Sequence, residues 1–309
     1  MACGAYGIFL FCSEKGDAKS HGTRRLNDNR EETEYMKKVF DELCHYLDVT
    51  WHVIKMAMMT IVEYPSNIAG WLISNPLQFI MGFAIIKFVV ESFGEINGWN
   101  YGQLAFLYGI SVISHALSMI FFVQGWFMGY YVIHGEFDRY LTRPLGVLYQ
   151  FFFTNINVFG ITDLIPGILV FIYGCAKCDI KVTLLFVVQV IVLLIGATLI
   201  RGGLYIFLGS TSFHTRSVVD FGQYTQEIID KTTMYPISMY PESMQFILTY
   251  LIPIGWVSFY PVSSLLGIEG GAYTGLIVPF VTLLVGLVMM ALSGAYFTFG
   301  LKKYESAGN

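Results

Sequence analysis

Long apolar blocks alternate with short polar turns along this chain. Tyr64 to Ile86 and Ile96 to Ile133 hold no charged residue, and neither do Ser243 to Gly267 or Gly275 to Leu301. Gln150 to Gly174 is interrupted only by Asp163, and Val182 to Leu208 only by Arg201. A helix crosses a bilayer with about 20 mostly apolar residues. The blocks therefore predict six spans, over residues 64–90, 101–127, 150–174, 182–208, 243–267 and 275–301, in a permease domain of residues 64–303. Ahead of them Met36, Phe40, Leu43, Leu47, Trp51, Ile54, Met58 and Ile61 recur at helical spacing. Lys37, Lys38, Asp41, Glu42 and Asp48 fall mainly off that stripe. This predicts an amphipathic helix over residues 33–63, too charged to span and suited to the interface plane; an ordinary amphipathic helix packed on a neighbour would have the same pattern. Residues 1–32 are polar and coreless, and read as a disordered tail. Residues 304–309 read as a short cytoplasmic tail.

Composition agrees with this pattern. The chain of 309 residues is 55% apolar, 17% aromatic and 13% charged, with a mean hydropathy of +0.59. A soluble domain carries about 25% charged residues, so the expected fold class is an all-α polytopic membrane protein, an interfacial helix followed by six transmembrane helices. Charge placement then orients it. Eight Lys or Arg precede the first span, Arg139 and Arg143 follow the second, Arg216 and Lys231 follow the fourth, and Lys302 and Lys303 follow the sixth. The stretches "ESFGEINGWN" and "GIEGGAYT" have no basic residue, and "CAKCDIK" has two. By the positive-inside rule both termini are expected in the cytoplasm of a cell-membrane protein.

Several chemistries lack their signatures. There is no Gly-x-x-x-x-Gly-Lys-Ser/Thr loop, no His-Glu-x-x-His and no Gly-x-Ser-x-Gly. The histidines show no ligand spacing, and Cys175 and Cys178 read as two thiols in a short loop rather than a metal site. No catalytic, cofactor-binding or metal-ligating residue is expected, and no nucleic-acid partner is implied.

The turn after the second span, "GEFDRYLTRPLGVLYQ", carries four charges in nine residues. It resembles the Gly-Glu-x-Asp-x-x-Leu-x-Arg-Pro-Leu stretch of a subgroup of ABC-2 family transporter permeases, matching at Gly135, Glu136, Asp138, Leu141, Arg143, Pro144 and Leu145. The segment "YPISMYPESMQFILTYLIPIGWVSFYPVSSLLG" resembles the same subgroup's fifth span, with Tyr-Pro steps at 235–236, 240–241 and 260–261. "INGWNYGQL" before the second span is a third match. The resemblance covers roughly residues 34–303. It implies an export permease that works with a separate ATP-binding cassette ATPase, which binds ATP and Mg, and that pairs with a second copy or a sister permease. Part of the subgroup is associated with drug or viologen export, a substrate that does not carry over with the motifs; the scarcity of intramembrane charge and the aromatic side chains of the second and fifth spans instead point to a hydrophobic or amphipathic substrate, delocalised cations included. The resemblance also implies a broken fifth span with a short outer re-entrant hairpin at "YPVSSLLGIEGG".

On that reading residues 135–143 form a short coupling helix or turn, with Pro144 starting the helix that becomes the third span. Glu136, Asp138, Arg139 and Arg143 supply charges for the rim of an ATPase cleft, and Leu141, Leu145 and Leu148 an apolar side. The alternative is a plain solvated loop. Candidates for the substrate path are Phe121, Phe122, Asn155, Asp163, Tyr250, Pro253 and Trp256. Asp163, costly in lipid by about 2.5–3.5 kcal/mol at a helix centre, is expected to face protein or water toward the outer interface. Arg201 is expected to snorkel to the cytoplasmic surface. The rival functions are a proton-coupled secondary transporter using Asp163 and a membrane-embedded enzyme acting on lipid; the second lacks convergent acid, base or metal ligands.

Overall fold

The computed structural model describes residues 65–153, 155–215, 221–268 and 275–304, together with residues 37, 40, 41, 44–59 and 63. The polar tail expected over 1–32, the start of the amphipathic helix and residues 305–309 lie outside these. Among the described residues all regular structure is helical, apart from one isolated bridge between Ile96 and Trp99. In chain order the helices are α1 (44–59), α2 (Pro65–Phe93), α3 (Tyr101–Phe122), α4 (Gln124–Ile133), α5 (Asp138–Leu141), α6 (Val147–Phe153), α7 (Ile161–Lys177), α8 (Leu184–Ser210), α9 (Ser212–Thr215), α10 (Phe221–Thr233), α11 (Glu242–Phe246), α12 (Phe259–Leu266) and α13 (Val278–Leu301).

Among the described residues five stretches are long and apolar enough to cross a membrane: Ala69–Ser92, Tyr101–Ile133, Val158–Lys177, Leu184–Thr215 and Val278–Leu301. They pack through small residues, as helices must where lipid competes with side chains for contact. A Cβ on Gly174 would lie 2.5 Å from the backbone of Phe106, so α3 and α7 touch backbone to backbone. A Cβ on Gly196 would lie 2.7 Å from the backbone of Leu283, which sets α13 against α8. Matching neighbours along these pairs (Phe106 with Gly174 and Gly109 with Phe171; Gly196 with Leu283 and Gly203 with Met289) make α3 and α7 antiparallel and α8 and α13 parallel.

The bundle accordingly has two ends. At one, the turn end, Tyr304 after α13 meets Asp138 of α5. At the other, the far end, Asn97 bonds the carbonyl of Ser238 at 2.9 Å and Gln189 that of Leu276 at 3.0 Å. Since α8 finishes at the turn end and α13 starts at the far end, the chain between them must pass back through the bundle. α10 makes that pass. Its Asp230 lies beside Arg201 in the interior of α8, its Thr233 beside Ser111 of α3, and Ser238 is already at the far end.

The fifth span was expected over 243–267, broken and with a short re-entrant hairpin; the break is present, and what changes is that α10 makes the crossing. Glu242–Leu251 and Ile254–Leu266 are bent 78° from each other. Ser264 returns to bond the carbonyl of Gly275 at 2.7 Å, while the apex dips to Thr233, whose carbonyl accepts from Ser258 at 2.9 Å. Both limbs thus begin and end at the far end, as a re-entrant hairpin. The break has a local cause. Pro253 lacks an N–H and pushes the residue before it out of the helical region, and Ile252 sits at φ −122°, ψ 92°. The third span is also shorter than expected. α6 stops at Phe153, Asn157 caps a single 3₁₀ turn over Val158–Gly160, and α7 follows. Pro144 therefore does not open the third span; it lies in a bend ahead of α6.

Candidate functional site

The charged turn leaves α4 through Gly135, whose φ of +69° suits glycine. Phe137, fully buried, enters an aromatic box of Tyr140, Phe151, Phe213, Phe297 and Tyr304, with ring centroids 5.2–6.2 Å away. Phe213 follows α8 and Phe297 is on α13, so one side chain of the turn holds the ends of two spans. Glu136, Leu141, Arg143 and Pro144 are exposed, and Leu145 and Leu148 are half-buried. Asp138 and Arg139 serve the turn itself. The Tyr304 hydroxyl donates to Asp138 Oδ1 at 2.9 Å. Burial first, and then Asp138, pushes the Tyr304 phenol up to about 12, so it keeps the proton that it donates. Arg139 lies over the rings of Tyr131 and Tyr140 and donates to the Tyr140 hydroxyl at 2.8 Å.

The path candidates are scattered. Phe122 is buried against Phe152 and Gly202, and Phe121 packs on Phe153. Pro253 and Trp256 are buried in the far-end hairpin, Trp256 against Tyr260, while Tyr250 is 63% exposed there beside Phe246. Asn155 donates to the Tyr140 hydroxyl at 3.1 Å. It also lines a cleft of about 590 Å³ with Trp71, Met119, Gln124, Trp126 and Phe127, which none of the other path candidates lines.

Asp163 and Arg201 depart furthest from expectation. Arg201 does not snorkel: it is fully buried. Its Nη1 donates to Asp230 Oδ1 at 2.5 Å, Nη2 to Thr233 at 2.8 Å and Ser111 at 3.1 Å, and Nε to Ser114 at 3.2 Å. Asp163, expected past the middle of its span, does not lie there: α7 begins only at Ile161, which puts Asp163 in the first turn, on the half nearer the turn end. There Asn75 of α2 donates to its Oδ1 at 2.5 Å. His115 of α3 stands between the two carboxylates, Nδ1 3.1 Å from Asp230 Oδ1 and Nε2 3.7 Å from Asp163 Oδ2. Five helices, α2, α3, α7, α8 and α10, thus converge on one buried charge cluster. Such groups in low dielectric must be paired and hydrogen-bonded, and these are.

Residues 73–308 match the family described as ABC-2 family transporter protein. The chain belongs to the ABC-2 transporter family. No curated protein matches it. Membership makes the chain a multi-pass membrane permease of the ABC exporter type, a transport subunit rather than a catalytic one.

Asp230 is the residue that sequence reasoning missed. It falls in the stretch between the expected fourth and fifth spans, where Arg216 and Lys231 read as the basic residues of a connecting loop. A signal was present. Gln226, Asp230 and Thr233 recur at i, i+4 and i+7, a polar stripe on one helix face, and Arg201 within a span required a carboxylate partner.

Proposed function

We propose that this permease is the membrane-spanning subunit of an ATP-driven exporter in the cell membrane. A separate ATPase subunit, carrying ATP and Mg, docks on the turn Gly135–Pro144, with Glu136 and Arg143 at the contact. The observation that carries this reading is Phe137, which ties an exposed charged turn to the ends of α8 and α13 and gives a push on the turn a rigid route into two spans. Leu47, Trp51 and Met58 of α1 are exposed, which suits this helix to the interface plane of a membrane. α10 argues for a second copy or a sister permease. Its outward face carries the ion pair Lys231–Glu227, both strongly exposed, level with the buried cluster. Charges there are too costly to face lipid, so this face meets protein or a watery path. An amphipathic substrate, a delocalised cation included, fits a route with such a face on one side and aromatic side chains on the other.

Two measurements test this. ATP hydrolysis in membranes should rise when the chain is expressed with its ATP-binding cassette ATPase, and transport should stop without that ATPase; transport that persists on a proton gradient alone would favour the secondary-transporter reading. External thiol labelling should reach Cys178 and miss a Lys303→Cys variant. Burial, with Asp179 next, pushes the Cys178 thiol up, so labelling should speed up at alkaline pH.

A further inference from the structure

The charge cluster does not sum to zero as ordinarily counted. Arg201 contributes one positive charge, and Asp163 and Asp230 one negative charge each. A neutral His115 would leave a net negative charge in the middle of a bundle, where an unbalanced ion is strongly penalised. The ring geometry adds an independent argument. Both nitrogens of His115 face carboxylate oxygens, Nδ1 toward Asp230 Oδ1 at 3.1 Å and Nε2 toward Asp163 Oδ2 at 3.7 Å. A neutral imidazole has one N–H and one lone pair. Whichever tautomer is chosen, that lone pair would point at an anionic oxygen.

The neighbours offer no other remedy. α2 presents Asn75 and the edge of Phe79, neither of which titrates. α3 adds Ser111 and Ser114, whose hydroxyls accept from Arg201. α7 adds Thr162, bonded to Asp163 and to a backbone carbonyl. The phenols within electrostatic reach of Asp230 are Tyr108 on α3 and Tyr205 on α8. On α10 the remaining charges, Glu227 and Lys231, pair with each other on the exposed face.

We propose that His115 and Asp163 form a proton-binding site within the span bundle, and that the proton carried on the facing side of this pair, His115 Nε2 or Asp163 Oδ2, ties α7 through His115 of α3 to Asp230 of α10. The proton comes from water and returns to it. With it bound, the cluster is neutral and both faces of His115 are satisfied. With it lost, His115 can donate to only one carboxylate, and the link between Asp163 and α10 opens. The permease then carries a proton-sensitive latch on its fifth pass. The site is a property of the bundle and holds whether or not an ATPase drives the chain.

Nitrogen NMR of the full chain in lipid nanodiscs, with labelled histidine, reads the ring directly, and infrared spectra read the acid. The expected result near neutral pH is a doubly protonated ring that disappears in His115→Gln, or a protonated carboxyl band that disappears in Asp163→Asn. A singly protonated His115 together with an ionised Asp163 overturns the proposal. Should the variants fail to assemble, the wild-type chain still decides. Raised above the ordinary histidine range, it must keep one doubly protonated ring or one protonated acid, and keeping neither overturns the site. Thermal unfolding supplies the linked readout. A folded state that retains a proton the unfolded chain has given up loses stability as pH rises. The wild-type unfolding temperature should therefore fall on alkalinisation while that of Asp163→Asn stays flatter; equal slopes count against the latch.

Discussion

Arg139 on the charged turn lies across two tyrosine rings with its guanidinium at an exposed rim, whereas Arg201 on α8 is fully buried and spends its donors on Asp230, Thr233, Ser111 and Ser114. The turn is charged outside and anchored inside by the apolar Phe137. The cluster is charged inside and surrounded by apolar spans. Exposed charges are cheap to hold and individually worth little, about 0–1 kcal/mol per pair, so they suit recognition. Buried charges cost several kcal/mol each to desolvate, so they persist only where partners are fixed. One region can change partners without unfolding; the other cannot change without moving helices.

The largest expected effect lies in the cluster. Arg201→Leu leaves Asp230, whose side chain is only 16% exposed, without the guanidinium that it bonds, a loss of about 3–5 kcal/mol, seen as little assembled protein and a lowered unfolding temperature in detergent. Arg201→Leu combined with Asp230→Leu should recover most of that stability. Normal unfolding in the single variant would show that the cluster is as dispensable as a surface pair. Next comes Phe137→Ala, which empties the aromatic box. Phe→Ala in a packed core costs about 3–5 kcal/mol, and the lower figure is expected here because the box lies at the end of the bundle. Its second readout is coupling: ATP turnover with the partner should become independent of substrate.

Much of this was legible in the sequence, for reasons that also mark where it stopped. The first, second, fourth and sixth spans are long and uninterrupted or nearly so, and hydropathy alone places them. The short helix of the turn is legible from Gly135 and the charge density that follows. The fifth pass was not, because two segments compete for it. Residues 243–267 are apolar and look like a span, but Pro253 and the pre-proline Ile252 fold them back on themselves. Residues 221–233 are polar and look like a loop, yet Gln226, Asp230 and Thr233 turn toward partners that only the assembled bundle supplies. Periodicity reports which residues share a face. It does not report that an arginine more than twenty residues earlier will pay for an aspartate on that face.

A smaller effect is expected at the tie between the turn and the C-terminal segment. Tyr304→Phe removes one hydrogen bond, about 1 kcal/mol. Its pH dependence has a defined sign. An unperturbed tyrosine titrates near 10, and in the folded chain the Tyr304 phenol is held up to about 12. The tie's contribution is therefore fully present below about 10 and is lost as the pH rises toward about 12. Unfolding temperatures of wild type and Tyr304→Phe should converge over that window, and a constant gap across it would mean that the phenol is not the donor.

The smallest effect on stability is expected from Glu136→Lys with Arg143→Glu. Both side chains are exposed, neither enters the aromatic box, and surface substitutions of this kind stay within about 0.5 kcal/mol. Membrane insertion and unfolding temperature should be unchanged. Coupled ATP turnover should nevertheless fall to the level of the ATPase alone, because reversing both charges inverts the pattern that the ATPase cleft must read while leaving Phe137 and its box in place. The contrast with Arg201 then becomes quantitative: one charged site lost with the fold, the other lost without it. Full coupled activity in the double reversal would reduce the turn's charges to orientation signals, and the docking surface would have to be sought elsewhere on the turn end.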